Sequence, residues 1–372
     1  MSSKIYDSST FPNKSPLNFL VPPPHGRGTQ LSNGEKRRVA PGVPSTVNYF
    51  YENECDKVEN PKLRPYPDCA TNSIQYNAGP EKLVSVYRLT VDRCNRLWFV
   101  DTGALDYEPS PIIIHNPTLW IMDLKTDTLI RRFSIPDALY ETDGLGFADI
   151  VVESDGQDCD NAYAYVSNFK TSALLVYSFR ENDAWIAKHP YMNPVPGLGE
   201  MVLQGVSFDF TAGLIAMALS QSRPGNRFLF FGSLAGIDEF AVPTRILKDQ
   251  SLSSDYYNNK DFIHIGSRGP NSQILVQQIN SQGILFYPEI QDQVIKCWNT
   301  AKPLTPENTA VVYRNNQTMV YGTQVEIDED DNIWVMSNRF ALQLFRGLDI
   351  NDYNFFLVRG KSDVIRNTVC SL

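Results

Sequence analysis

"VYRLTVDRCNRLWFVDTG" (residues 86–103) sets two apolar stretches on either side of a polar turn at 92–95. Apolar residues at period two flanking Asp, Asn or Gly predict a β-hairpin. The phrase recurs as "ADIVVESDGQDCDNAYAYVSN" (148–168), "LQGVSFDFTAGLIAMALS" (203–220), "SQILVQQINSQGILFYP" (272–288) and "GTQVEIDEDDNIWVMSN" (322–338). The second strands centre near 98, 165, 215, 285 and 334, an interval of roughly 59 residues, which is enough for a four-stranded unit each. Radial repetition of four-stranded sheets makes a β-propeller. Five phrases and a weaker one at "GVPSTVNYFY" (42–51) predict an all-β, six-bladed β-propeller; the uneven intervals leave a pair of β-sandwiches as the alternative.

The 372 residues suit one large β domain or two ordinary ones, and 24 prolines with 22 glycines favour many short elements. We expect a loosely ordered arm over 1–41, rich in Pro, Gly, Ser and Asn, and one propeller domain over 42–372. The net charge of −9 and the absence of a basic stripe argue against nucleic acid, since "EKRR" at 35–38 reads as a solvated turn. No apolar run reaches the ~18 residues of a membrane span, so no membrane partner is expected, and the chain is expected to be a monomer. Residues 1–20 lack the apolar core of a secretory signal, which leaves a mature secreted form, an intracellular chain or an incomplete start open.

Asp101-Thr102-Gly103 after an apolar run reads like the catalytic strand of an aspartic protease. That chemistry needs two carboxylates sharing a proton. No second Asp-Thr/Ser-Gly exists, and "TDG" (142–144) and "SDG" (154–156) have the wrong order. Asp101 is therefore expected to hydrogen-bond a turn at the strand's end. No nucleophile elbow, phosphate loop or His-Glu-x-x-His is present, so neither cofactor nor metal is expected. Cys55, Cys69, Cys94, Cys159, Cys297 and Cys370 form no Cys-x-x-Cys pair; an even number at wide spacing suits disulfides and an oxidising compartment. Asn316-Gln317-Thr318 is a glycosylation sequon.

Ten motifs in order carry a resemblance: "GVPSTVNYF", "PYPD", "VYRLTVDRCNRLWFVDTG", "LWIMDLKTDTLIRRFSIP", "CDNAYAYVSN", "FAVPTRILKD", "RGPNSQ", "KCWNT", "VEIDEDDNIWVMSNR" and "IRNTVC". Over about 42–372 the chain resembles the insect yellow and major royal jelly protein family, and the yellow proteins in particular. The resemblance implies a six-bladed propeller, secretion and the pairs Cys94–Cys159 and Cys297–Cys370. Cys55 and Cys69 are left over, and we expect a third, local bridge between them. The family's usual aromatic before "GVP" is missing from "SNGEKRRVAPGVPST", which puts the completeness of the first blade in question.

The resemblance also implies a role in melanin or catecholamine chemistry, with a small aromatic such as dopachrome, a dopamine-like amine or an indole amine in the central channel. In amine-binding relatives a strand pair near the C-terminus supplies the contacts. "MVYGTQV" and "VMSNRFA" place Thr323, Asn338 and Phe340 on those positions, with Tyr321 beside them. Aromatic stacking with hydrogen bonds to ring hydroxyls or an amine is sound chemistry for such a ligand. The bland alternative makes Phe340 core and Asn338 a turn residue. Dopachrome conversion would need a general base and a cation for the carboxylate, Arg339 or Arg268 being candidates. A non-catalytic amine carrier, or a structural cuticle or eggshell protein, are the other readings.

Overall fold

The computed structural model describes residues 45–50, 63–74, 79–105, 111–140, 145–154, 156–221, 227–253, 260–328, 330–342 and 352–371. The arm expected over 1–41 lies outside them. Five antiparallel sheets form the body of the molecule. Blade I comprises Val86–Val91, Arg96–Asp101, Thr118–Asp123 and Thr128–Ser134. Blade II comprises Phe147–Glu153, Tyr163–Asn168, Ala173–Ser178 and Asp183–Ala187. Blade III is built from Leu214–Leu219, Phe228–Ser233, Asp238–Pro243 and Ile263–Ser267. Blade IV has Gln278–Ile279, Ile284–Glu289, Val294–Asn299 and Thr309–Arg314, and blade V has Tyr321–Ile327, Asn332–Asn338 and Phe355–Lys361. The first strand of each blade is innermost, and these strands neighbour one another in the order I to V.

The fold is thus an all-β propeller, but with five blades where the sequence reading expected six. The weak phrase "GVPSTVNYFY" makes only Asn48–Tyr49 paired with Arg64–Pro65. Proline 65 has no N–H to donate, and Pro67 follows it, so the ladder cannot lengthen. This pair is a wedge: Val47 and Tyr66 pack with blade I, while Phe50 packs on Met336 of blade V. A second expectation also shifts. The phrase at 203–220 is not one hairpin. Leu203 pairs with Val206 around Gln204 and Gly205, both at positive φ, and Leu214–Leu219 pairs instead with blade III's second strand. The two-residue turn at 204–205 wins because it matches strand twist.

The repeated phrase owes its Asp and Trp to one device. The Asp92 carboxylate accepts the backbone N–H groups of Cys94 and Arg96 and the Nε1–H of Trp98 at 2.9 Å. In blade V, Asp328 accepts from Asp330 and Asn332 N–H and from Trp334 Nε1–H, also at 2.9 Å. The carboxylate satisfies both the turn and the indole, so a tryptophan can be buried with no orphan donor. Trp98 then inserts between blades I and II, edge-on to Tyr177 and Phe179. Asp101, wholly buried, accepts N–H from Val84 at 2.8 Å and Ser85 at 2.7 Å. It is a structural strand-end carboxylate.

Both bridges implied by the resemblance are formed: Cys94–Cys159 staples blade I to blade II, and Cys297–Cys370 ties the C-terminal segment to blade IV. The third is not. Cys69 is a free, exposed thiol, capping no bridge to Cys55, which lies outside the described residues.

Candidate functional site

Four of the five innermost strands carry a β-bulge against their neighbour. One extra residue intervenes at 87–88 in blade I, 148–149 in blade II, 215 in blade III and 323 in blade V. A bulge breaks the period-two alternation and re-aims a side chain. It lets Arg88, Asp149 and Thr323, each within an apolar strand, reach one another near the axis. Arg88 Nε donates to the Thr323 carbonyl at 3.0 Å, and Arg88 Nη1 lies 3.4 Å from Asp149 Oδ1. The other carboxylate oxygen of Asp149 accepts the Met217 N–H of blade III at 3.1 Å. Glu326 accepts from Gln324 Nε2 at 2.6 Å and is hydrogen-bonded by Gln278 of blade IV. Every blade therefore contributes to one polar cluster.

The electrostatics follow from burial. Desolvation pushes the Glu326 carboxyl up to about 7; the Asp149 charge adds to the rise, while Gln324, Gln278 and Arg88 oppose it. Burial likewise raises Asp149, against the pull of Arg88 beside it. A buried carboxyl that titrates near neutrality beside a guanidinium can take and return a proton at physiological pH. Next to this cluster lies apolar surface to which all five innermost strands contribute: Tyr87, Ala148, Ile215, Ile279 and Tyr321, with Phe340 packed against it.

The residues chosen from the sequence fall in this region. Thr323 and Asn338 are joined, Asn338 Nδ2 to Thr323 Oγ1 at 3.4 Å, and Asn338 Oδ1 accepts the Phe340 N–H at 3.0 Å. Tyr321 is cross-strand partner to Asn338 and is buried, which raises its phenol and keeps it protonated. Phe340 is partly buried in the same apolar cluster.

Residues 84–370 match the family model described as "Major royal jelly protein". The chain is 36% identical over 349 residues to L-dopachrome tautomerase yellow-f of Drosophila melanogaster, covering 93% of this chain and 80% of that protein. It is 34% identical over 340 residues to Protein yellow of Drosophila melanogaster, covering 89% of this chain. The chain belongs to the yellow and major royal jelly protein family. It spans 61% of the length of Protein yellow. Among solved structures one likeness is to virginiamycin B lyase from Staphylococcus aureus, at 9% identity, 80% of this chain, 72% of that one and a TM-score of 0.43. That likeness is too distant to bear on function.

In this yellow-family protein the two cations named from the sequence lie elsewhere. The Arg268 guanidinium is fully buried against Glu239 at 2.6 Å and the carbonyls of Asp238, Gly236 and Ser272. Arg339 pairs with the exposed Asp352 and lies 5.5 Å over Phe356. Each has an ion-pair partner of its own, and the cation that meets Asp149 and the Thr323 carbonyl is Arg88. The sequence reading missed Arg88, Asp149 and Glu326. Their signal was a lone charge inside the otherwise apolar runs "VYRLTV", "ADIVV" and "TQVEI". On period two alone such a charge reads as solvent-facing, and only the bulges turn the first two inward.

Proposed function

We propose that this yellow-family protein binds a small aromatic on its axis and isomerises an indoline quinone of the L-dopachrome type there. The observation that carries the reading is the Arg88–Asp149 ion pair, whose charges both act on the raised carboxyl of Glu326, in a region with the aromatic side chains of Tyr87, Tyr321 and Phe340. Such an isomerisation moves carbon-bound protons of the saturated ring to the quinone oxygens, with no net redox change. Glu326 acts as the base, Arg88 neutralises the substrate carboxylate, and Thr323 and Asn338 hydrogen-bond ring oxygens. The name of the 36% identical relative supports the same chemistry. The two disulfides and the exposed Asn316 support secretion and glycosylation at that asparagine.

A specific observation favours a second reading, a carrier of biogenic amines without turnover. Arg88 is already ion-paired with Asp149, so an ammonium can enter as Glu326 gives up its proton, and the charges then balance. Purified protein is mixed with L-dopachrome and the loss of colour followed beside a heat-killed control. Heat-sensitive acceleration that Glu326→Gln lowers ~100-fold or more supports the enzyme. Saturable dopamine binding without acceleration supports the carrier. Neither effect would leave a structural protein of cuticle or eggshell.

A further inference from the structure

The two-stranded unit Glu200–Leu203 and Val206–Asp209 belongs to no blade: it is a separate sheet inserted between blades II and III. Its burial alternates strictly, with Met201, Leu203 and Phe208 inside and Glu200, Val202, Gln204, Ser207 and Asp209 exposed. The inward face joins the apolar cluster that all five innermost strands share, alongside Tyr321 and Phe340. The hairpin therefore packs on the same apolar cluster as the aromatic residues beside the polar one.

Besides that apolar face, the hairpin is held by polar contacts among the described residues. Val202 N–H donates to Gln291 Oε1 at 2.9 Å, Gln291 Nε2 donates to Gln273 Oε1 at 2.9 Å, and Gln273 Nε2 donates to the Leu198 carbonyl at 3.0 Å. This relay of two glutamines clasps both ends of the first strand to blade IV. At the tip, Gln204 Nε2 reaches Gln293 Oε1 at 3.1 Å and the Asn316 carbonyl at 2.8 Å. Neutral amide bonds of this kind each contribute little, because water replaces them when they break. An isolated pair of strands is itself marginal. Gly197, at φ +81° in open space, precedes the hairpin, whereas Gly199 is packed against Thr211 and Gly213 against Ser172 and Met192. Polar clasps around an apolar face, with one unencumbered glycine before it, make an element that opens without unfolding the ring.

We propose that residues 200–209 are a gate over the axial site, latched by Gln291, through which a small aromatic ligand enters and leaves. The ligand's passage rests on the axial reading above; the gate's motion does not.

Hydrogen–deuterium exchange on the intact protein tests the motion. Amides of 200–209 should exchange at least ~10-fold faster than those of Leu214–Leu219, with little dependence on denaturant, as local opening requires. Gln291→Leu should speed the hairpin a further several-fold and leave blade III unchanged. Exchange of the hairpin together with blade III, at the same denaturant dependence, would overturn the gate. A second arm tests passage. In a background with Cys55 and Cys69 both replaced by Ser, Gln204→Cys and Gln293→Cys are joined by a short, reducible thiol cross-linker. Cross-linking should slow dopamine association and release alike, at least ~10-fold. An unchanged association rate would exclude this route. Absence of dopamine binding to uncross-linked protein would count against the axial reading, while the exchange measurement still decides the gate.

Discussion

The seam between blades I and II and the seam between blades V and I do the same job by opposite means. The first is apolar and stapled: Trp98, Val100, Ile121, Phe147, Leu175 and Tyr177 form one buried cluster, and Cys94–Cys159 bonds the two blades. The second closes the ring with the Arg88 guanidinium on the Thr323 carbonyl and a small wedge around Phe50 and Met336. A seam filled with interlocked carbon leaves no polar group to meet a ligand. A guanidinium beside a carboxylate provides one. On the proposed function, ring closure at this seam and ligand recognition draw on the same residue, Arg88.

The comparison can be broken most severely at the apolar seam. Trp98→Ala removes a wholly buried indole and its hydrogen bond to Asp92; we expect a loss of about 3–5 kcal/mol in denaturant unfolding. Replacing both Cys94 and Cys159 by Ser frees a 65-residue loop, and we expect a loss of at most about 4 kcal/mol. At the polar seam, Arg88→Leu should cost less, about 2–3 kcal/mol, yet abolish ligand binding by isothermal titration. Stability lost without binding lost would separate the two roles assigned to Arg88.

The pH dependence sharpens the contrast, because the apolar seam has no counterpart to Glu326. Its folded value of about 7 lies above the ordinary 4.5, so the folded state holds the proton more tightly than the unfolded chain. The contribution is fully present below about pH 4.5 and falls away as pH rises towards 7. Glu239, also raised to about 7 by burial, adds to the same slope. Urea unfolding at about pH 5 and about pH 8 should show a smaller difference for Glu326→Gln than for the unaltered protein. The smallest effect is expected at Thr323→Val. It removes only a 3.4 Å side-chain bond to Asn338, so stability should change by less than ~1 kcal/mol while ligand affinity falls several-fold.

The two seams also differ in how much of each could be read beforehand. Trp98, Cys94 and the turn aspartate announce themselves by residue type and recurrence, and so did the hairpins of blades I, II, IV and V. The blade count did not. Five phrases open five blades, and the sixth was a wedge whose prolines stop the ladder. The cysteine pairs implied by family resemblance formed, whereas the local bridge inferred by elimination did not, because counting leftovers says nothing about geometry. Thr323 and Asn338 were placed by resemblance. Arg88, Asp149 and Glu326 were not placed at all.

What the sequence by itself determined is the local: alternation makes strands, Asp and Asn make turns, and a recurring Asp–Trp spacing builds the same buried contact in blades I and V. These need only neighbours along the chain. The tertiary structure alone decided which strand edges close the ring and which charges from distant strands meet, as Arg88 meets Asp149 and the Thr323 carbonyl. A bulge of one residue reverses a side chain's direction without leaving a mark in composition. A carboxyl moves towards neutrality only when chain far away in sequence takes its water.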